Sequence, residues 1–499
     1  MNDKAINSKI NSQALLCKKV PAIDPFGSEG FEVDLLMYKN KIYGAIAREG
    51  VVNQYALINK KMKFGYPVFN REDRITQPMV RKNAKLCPIS IEKAIQLIKN
   101  EVSKVKSEEN LICISPTLTN ESMYMIQKWA RAGMKTNMLG SASQINKGLV
   151  FNLHKNDNLP LFELTDAKRI YVFGTNLTKD HSVISHLVKD LRFINQIPVT
   201  YITQKSNCFY SRRVDETVRV SDYHSFIRAI NYHLLQSKKA FGIFLDRLNE
   251  YKESILQENY ENLLEKSGVN AEVVEKIAQE WIDIPKSVII VSEKTIDKFT
   301  FCEMKKTMYL TEKQGKISSG MMILKAACNS QGLFDMGITP EYGPGFRKIE
   351  GDYLDLLKKV WKTDYLSTQF GCVDDILIRK TAKNIFIFGE NPHAEHPETA
   401  DIFKSANFIC TQSLFENETT DLADLVLPMN FAIEIGGTFT TSFKMAQTFN
   451  AVKACEFGWN DYQFYAQLQE AFGLTASYKP DDIFLEIISL LQPSCCINK

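Results

Sequence analysis

IYVFGTN (170–176) and IFIFGEN (385–391) decide the fold class of this chain. Each is a run of Ile, Val, Phe and Tyr without polar alternation, closed by Gly-x-Asn. Such a run fits a strand covered on both faces, as in a parallel sheet. The glycine permits a sharp turn and close backbone approach, and the helix start after it can accept a phosphate. Two such units suggest two nucleotide-binding-like halves, although a glycine at a strand-to-helix turn is common in any doubly wound fold. Similar runs occur at LICIS (111–115), PVTYIT (198–203), SVIIVS (287–292) and ADLVLP (423–428). Between them Ile91, Ala94, Ile95, Ile98 and Val102 repeat at helical spacing behind Ser90 as an N-cap. NESMYMIQKWARA (120–132) reads as another amphipathic helix. Strands alternating with helices predict an α/β class with parallel sheets.

The 499 residues are enough for two or three domains with sizeable cores. With 61 basic and 58 acidic residues, the net charge of +3 does not call for nucleic acid or an anionic membrane surface. The basic run NKKMK (59–63) reads as a solvated face. No window approaches the roughly 20 apolar residues of a membrane span. The N-terminus lacks the apolar core of a signal peptide. A cytoplasmic protein with no direct membrane insertion is expected. The 11 cysteines form no CxxC, and only Cys495 and Cys496 are adjacent, which argues against a disulfide framework. Cys113 and Cys410, set in apolar runs, read as core residues. His393 and His396 have permissive spacing for a metal, but zinc takes three or four ligands and no further one lies nearby in sequence. His181 reads as lying at a helix start, and Asp374–Asp375 as an acidic pair at a helix N-terminus.

Several longer segments carry a resemblance. FGYPVFNREDRITQPMVRKN (64–83), LTNESMYMIQKWARAGMKTN (118–137), VFGTNLTKDHSV (172–183), LKAACNSQGLFDMGITPEYGPGF (324–346), GENP (389–392) and FENETTDLADLVLPMNFAIEIGGTFTTS (415–442) occur in the order of the molybdopterin oxidoreductase family. Within that family the chain resembles the large subunit of formate dehydrogenase, from about residue 27 to 492. The resemblance implies two doubly wound, Rossmann-like domains of the formate dehydrogenase and DMSO reductase type. A remnant of the iron–sulfur domain would cover 1–58, and a discontinuous α/β domain would combine 59–135 with 330–499. A second α/β domain, 136–329, would be inserted within it. The family's C-terminal β-barrel domain is expected to be absent, since only QPSCCINK follows the last predicted helix (481–491).

Residue by residue, the resemblance implies a degenerate reaction centre. The family holds a [4Fe–4S] cluster on four cysteines, and the matching positions are Asp24, Gly27, Phe31 and Asn59. None is a thiolate, so no 4Fe–4S cluster is expected. Lys61 matches a family lysine between cluster and pterin. The family's metal-ligating cysteine or selenocysteine falls at Asn146, its neighbouring histidine at Lys147, and its substrate-orienting arginine at Lys325. An amide is a poor replacement for a soft thiolate, and an amine lacks the guanidinium fork. The pterin-nucleotide positions are mixed. Gly174, Asn176, Asp222, Gly389, Glu390 and Asn391 match, whereas Thr203 and Gln204 replace charged groups and Val220 replaces a glycine.

No bound cofactor is expected, with molybdopterin guanine dinucleotide as the alternative. The expected function is a non-catalytic structural or docking subunit of a redox complex, with the other subunits as partners. One alternative is an active oxidoreductase, or half of one, completed by a separate subunit that supplies the C-terminal domain. Another is a module that binds a nucleotide through the Asn176 and Asn391 loops. Residues 415–442 would be retained for the fold. An open groove with apolar patches, covered by a partner, is expected between Asn176 and Asn391.

Overall fold

The fold is that of a computed structural model, which describes residues 16–154, 157–205, 213–238, 248–371 and 381–491. Asp374–Asp375 and Cys495–Cys496 lie outside the described residues.

The chain opens on an antiparallel sheet of β1 (Lys18–Ile23), β2 (Glu32–Tyr38) and β3 (Lys41–Ala47). Lys39 and Asn40, with φ of 47° and 60°, form the two-residue turn between β2 and β3. That conformation suits asparagine and matches the twist of the hairpin. Val33, Leu35 and Met37 alternate inward and pack with Phe69 and Phe431.

After the short helix Lys60–Gly65 the chain enters a seven-stranded sheet with β4 (Met79–Lys82), β5 (Lys85–Pro88), β6 (Asn110–Ile114) and β7 (Leu139–Gly140). It then builds a separate five-stranded parallel sheet from β8 (Arg169–Phe173), β9 (Val199–Thr203), β10 (Glu216–Arg219), β11 (Ser287–Ser292) and β12 (Gly320–Leu324). Past the hairpin β13 (Tyr342–Gly343) and β14 (Arg347–Lys348), it returns to the seven-stranded sheet. The returning strands are β15 (Asn384–Phe388), β16 (Phe408–Ser413) and β17 (Leu425–Pro428). The strand orders are β10-β9-β8-β11-β12 and β5-β4-β17-β16-β15-β6-β7. Only the β17–β4 and β4–β5 pairings of the larger sheet are antiparallel.

The two Gly-x-Asn strands, β8 and β15, therefore stand in different sheets. Alternate residues of β8 feed two cores: Tyr171 and Phe173 pack with Phe226 and Trp281, whereas Ile170 and Val172 pack with Ile184 and Leu187. Helices cover both faces, and the predicted α/β class with parallel sheets is the class observed.

The structure also corrects the sequence reading. β12 and β16, both buried throughout, were not singled out as strands. Leu139 and Gly140 lie within the span expected to be inserted, yet they pair with β6. The segment 120–132 is not amphipathic. Its helix, Asn120–Lys128, is buried all round and continues as a π-helical turn, Trp129–Gly133. Its charged groups have internal partners, although Gln127 Oε1 and Trp129 Nε1 are buried without one. Glu121 accepts from the Thr438 N–H at 2.8 Å, and the Lys128 ammonium donates to Glu486 at 2.7 Å. The Arg131 guanidinium donates to the carbonyls of Thr339 (2.6 Å), Pro340 (2.9 Å) and Tyr342 (2.7 Å).

Residues 415–442 supply β17 and β18 (Gly437–Thr440), which pairs with β19 (Ala446–Phe449). A Cβ on Gly437, which has φ of 131°, would lie 2.6 Å from both Glu121 Oε2 and the Tyr462 hydroxyl. The backbone there fits only glycine.

Candidate functional site

Three of the four cluster-matching positions come together beside β1. A Cβ on Gly27 would lie 2.8 Å from Asn59 Nδ2 and 3.1 Å from Asp24 Oδ2. The fourth, Phe31, accepts from the Asp24 N–H at 3.0 Å through its main chain, while its ring joins an apolar core with Val52 and Leu159. The space among them holds Glu29, whose Oε2 would lie 2.7 Å from a Gly27 Cβ. Glu29 Oε1 is 2.9 Å from His181 Nδ1, and His181 Nε2 is 3.0 Å from Ser292 Oγ. Asn59 caps the helix Lys60–Gly65, accepting from the Lys61 N–H at 2.9 Å, and also accepts from Ser182 Oγ at 3.2 Å. Burial pushes the Asp24 carboxyl up to about 7, with the Glu29 charge adding to it; the hydrogen bond from the Phe26 N–H at 2.8 Å opposes the rise. The side chains present offer carboxyl, amide and imidazole groups, and Glu29 fills the gap between them. This set does not fit an iron–sulfur cluster, which takes thiolates. His181 does precede the helix Ser182–Phe193, as expected, but its ring is buried and bridges two other parts of the chain.

The positions matching the metal site part company. Asn146 is exposed in a turn, with φ of 61°. Lys147 donates to the Ile296 carbonyl at 2.7 Å and lies 5.6 Å from the centre of the Phe151 ring. Lys325 is buried; its ammonium donates to the Phe151 carbonyl and lies 3.7 Å from Glu293 Oε1. Burial lowers the proton affinity of both amines, and the Glu293 charge opposes this. Phe151 stacks on Phe301 with ring centres 4.3 Å apart. Lys147 and Lys325 therefore meet around Phe151, each bonded to a main-chain carbonyl. An exposed amide and two amines are not soft donors, so these residues do not fit a molybdenum or tungsten ligand set. His396 Nδ1 lies 3.2 Å from Glu398 Oε1, and among the described residues no group of three or more His, Cys, Asp or Glu is placed to hold a metal.

The pterin-matching positions divide between the two sheets. Gly174, with φ of 65°, lies where a Cβ would be 2.8 Å from the Tyr223 hydroxyl. Asn176 accepts from the Lys179 N–H at 3.3 Å. Asp222 caps the helix Tyr223–Gln236, accepting from the Ser225 N–H at 2.6 Å. At the other sheet, Gly389 takes φ of 74°. Glu390 accepts from the Ala142 N–H at 3.0 Å and from the Ser141 hydroxyl, and burial pushes its carboxyl up to about 8. Asn391 donates to Glu418 at 2.8 Å and accepts from the Thr419 hydroxyl at 2.7 Å. The side chains at the Asn391 end are thus bonded within the chain.

The Asn176 end opens into a cleft of about 470 Å³ lined by Lys60, Lys61, Phe64, Asn176, Thr178 and Lys179. It lies past the C-terminal end of β8, the strand at which the order of the sheet turns back. Amines there fit a phosphate, so a pterin dinucleotide finds matching chemistry at one end only. A larger cleft, of about 770 Å³, lies elsewhere. Val51, Tyr55, Phe162, Met445 and Leu491 are among its lining residues, and neither Asn176 nor Asn391 is. Sequence reasoning also missed Glu29, Ser292 and Lys179. The run NKKMK was the one available signal for the basic cleft.

A family model described as "Molybdopterin oxidoreductase" matches residues 74–470. The chain is 27% identical over 497 residues to the "F420-dependent formate dehydrogenase subunit alpha" of Methanocaldococcus jannaschii, covering 94% of this chain and 73% of that one. It is 24% identical over 508 residues to "Formate dehydrogenase H" of Escherichia coli, covering 92% and 69%. Its fold is similar to that of "Acetylene Hydratase from Pelobacter acetylenicus", with a TM-score of 0.62 at 11% identity over 91% of this chain and 69% of that one. Among the described residues no helix is long and apolar enough to cross a membrane. With a family match that runs from β4 into the penultimate helix, and both Gly-x-Asn strands at the heart of their sheets, the chain belongs to the molybdopterin oxidoreductase family, as a member resembling the formate dehydrogenase large subunit.

Proposed function

We propose that this formate dehydrogenase-like chain performs no redox chemistry itself and serves as a structural or docking subunit of a redox complex. One observation carries the reading: the buried Glu29–His181 pair stands where a cluster would need thiolates. The amines of Lys147 and Lys325, each held by a main-chain carbonyl, support it at the metal position. The relatives named as alpha subunits support the presence of partner subunits. The division into 1–58, 59–135 with 330–499, and 136–329 is part of the same proposal, with Leu139 and Gly140 of the inserted span paired to β6. A cytoplasmic location is also part of it.

The test is metal analysis of the full chain purified from its native source, together with formate-dependent dye reduction. Neither iron, molybdenum nor tungsten is expected in stoichiometric amount, and no dye reduction above a denatured control. Stoichiometric metal or formate-dependent turnover would overturn the proposal. The kept Gly174–Asn176 loop favours the alternative, an active oxidoreductase or half of one that binds molybdopterin guanine dinucleotide with a separate subunit. Release of a pterin on denaturation would support that alternative.

A further inference from the structure

We propose that the narrow cleft between Arg74 and Lys453 binds a small free oxyanion of the phosphate or sulfate type. The cleft, of about 260 Å³, is lined by three stretches distant in the chain: the start of β3, residues 70–76, and the segment 453–457 after β19. Asn70 ties the second stretch to the first, accepting from the Ile42 N–H at 3.0 Å and donating to the Ile42 carbonyl at 2.6 Å. Arg74 and Lys453 both line the cleft with side chains almost wholly buried, 6% and 7% exposed. They share one carboxylate. Arg74 donates to Glu434 Oε1 at 2.7 Å and to Oε2 at 3.0 Å, and the Lys453 ammonium stands 3.5 Å from the same Oε1. Asp461, the other carboxyl that senses Arg74, accepts from Gln412, Trp459 and the Asn430 N–H, and among the described residues it ion-pairs with neither cation. Two buried cations thus rest on one ion-paired carboxylate, and a buried charge without a partner of its own is costly.

Unused donors point to what completes the pairing. Arg74 Nε is buried with no hydrogen-bond partner. The Lys453 ammonium has three N–H groups and only the one acceptor at 3.5 Å among the described residues. The guanidinium is held in advance of any ligand. It lies 4.6 Å from the centre of the Phe431 ring and 4.9 Å from that of Phe457, and it donates to the Met429 carbonyl at 2.8 Å. Donors fixed in this way lose little freedom on binding. Lys41 and Thr76 add an exposed ammonium and an exposed hydroxyl to the lining. The lining carboxylates are also exposed, where water screens them. Glu72 pairs with Lys41 at 3.6 Å, and Glu456 accepts from Asn40 at 2.9 Å. The volume falls below the roughly 300–1,000 Å³ of sites for drug-sized ligands, so a single small ion fits better than a nucleotide. Donors from three separate stretches suit an ion with oxygens on several sides, as phosphate and sulfate have, better than a planar carboxylate. The site shares no residue with the positions matched to the cluster, the metal or the pterin. The inference therefore goes beyond the docking-subunit reading, and metal content and formate turnover do not bear on it.

The experiment is calorimetric titration of the full chain with inorganic phosphate, inorganic sulfate and acetate, at an ionic strength held constant with sodium chloride. Phosphate and sulfate should bind with a Kd on the order of 0.1 mM, and acetate about tenfold more weakly or worse. Lys453→Gln should weaken phosphate binding by about tenfold, the worth of one charge-assisted hydrogen bond. Lys41→Ala, at an exposed position, should weaken it by about threefold and melt as wild type does. Lys453 is buried, so thermal unfolding without anion checks that its variant folds; if it does not, Lys41→Ala carries the test. Saturating phosphate should raise the melting temperature of wild type and fail to raise that of Lys453→Gln. Absence of phosphate binding up to about 10 mM overturns the proposal. So do acetate binding as tightly as phosphate, and variants that bind phosphate as wild type does. Loss of binding in Lys61→Ala with Lys453→Gln unaffected would move the anion to the cleft beside Asn176 and overturn it as well.

Discussion

Glu29 and His181 meet at 2.9 Å with both side chains buried, though they lie 152 residues apart in the chain. Removing Glu29 leaves the buried His181 Nδ1 without its partner, with Ser292 still at Nε2. Glu29→Ala should therefore destabilise the fold by about 3 kcal/mol or more, and Glu29→Gln, which keeps an acceptor for the ring, by less. Urea midpoints for the two variants check this order. Asp24 gives a pH-dependent counterpart. Its folded carboxyl, at about 7, holds its proton more tightly than an unfolded aspartate does. Its contribution is complete at acid pH below the unfolded value and is lost as pH rises through about 7. Burial raises Glu121 and Asp461 to about 7 as well, so they act in the same direction. Asp24→Asn cannot ionise. It should match wild type near pH 4 and exceed it at pH 8 by an amount on the order of 1–3 kcal/mol, measured from unfolding curves at both values. The sequence revealed that Asp24, Gly27, Phe31 and Asn59 are not thiolates. It did not reveal what stands among them, because Glu29, His181 and Ser292 come from three distant segments with no common motif.

The strands of the two sheets were the most legible elements, since a run of β-branched and aromatic residues has one comfortable setting in a parallel sheet. β12 and β16 escaped notice because GMMIL lacks β-branched density and FICTQS is half polar, yet both are buried. The helix Asn120–Lys128 misled for the opposite reason. Its charges looked solvated, but each finds a partner contributed by residues far along the chain. Arg131, in the π-helical turn, is the clearest case. Its guanidinium holds the carbonyls of Thr339, Pro340 and Tyr342, and so fixes the path of GITPEYGPGF (337–346). Methionine would fill the volume but leave those oxygens without donors, at about 1–3 kcal/mol for each one left buried. Arg131→Met should thus cost about 3–5 kcal/mol in thermal unfolding and open the segment 337–346 to limited proteolysis. Cleavage no faster than in wild type would show that the segment is held by other contacts.

At the scale of the whole molecule, the surface that most calls for a partner was invisible in the sequence. Its lining comes from the loop after β3, the segment 160–162, residues 443–446 and the last helix, and no local pattern links them. Within this 770 Å³ cleft Val51 is 70% exposed and Phe162 55% exposed, with Tyr55 and Met445 beside them. Soluble proteins seldom leave a contiguous apolar surface uncovered unless it serves binding. The ion pair of Lys444 with Asp335 lies in its wall, and a partner seated there would shield that pair from water. Under the proposal that this chain is a docking subunit, another subunit is the occupant that agrees with the alpha-subunit relatives. Val51→Asp and Phe162→Asp place carboxylates at positions already open to solvent, so the isolated chain should melt as wild type does. In the complex the same carboxylates would be desolvated without partners, weakening association by about tenfold or more for each substitution. Pull-down of the native subunit by tagged wild-type and variant chains gives the comparison. If both variants retain the partner as wild type does, this cleft is not its seat. If instead both variants lose stability before any partner is added, the cleft belongs to the core.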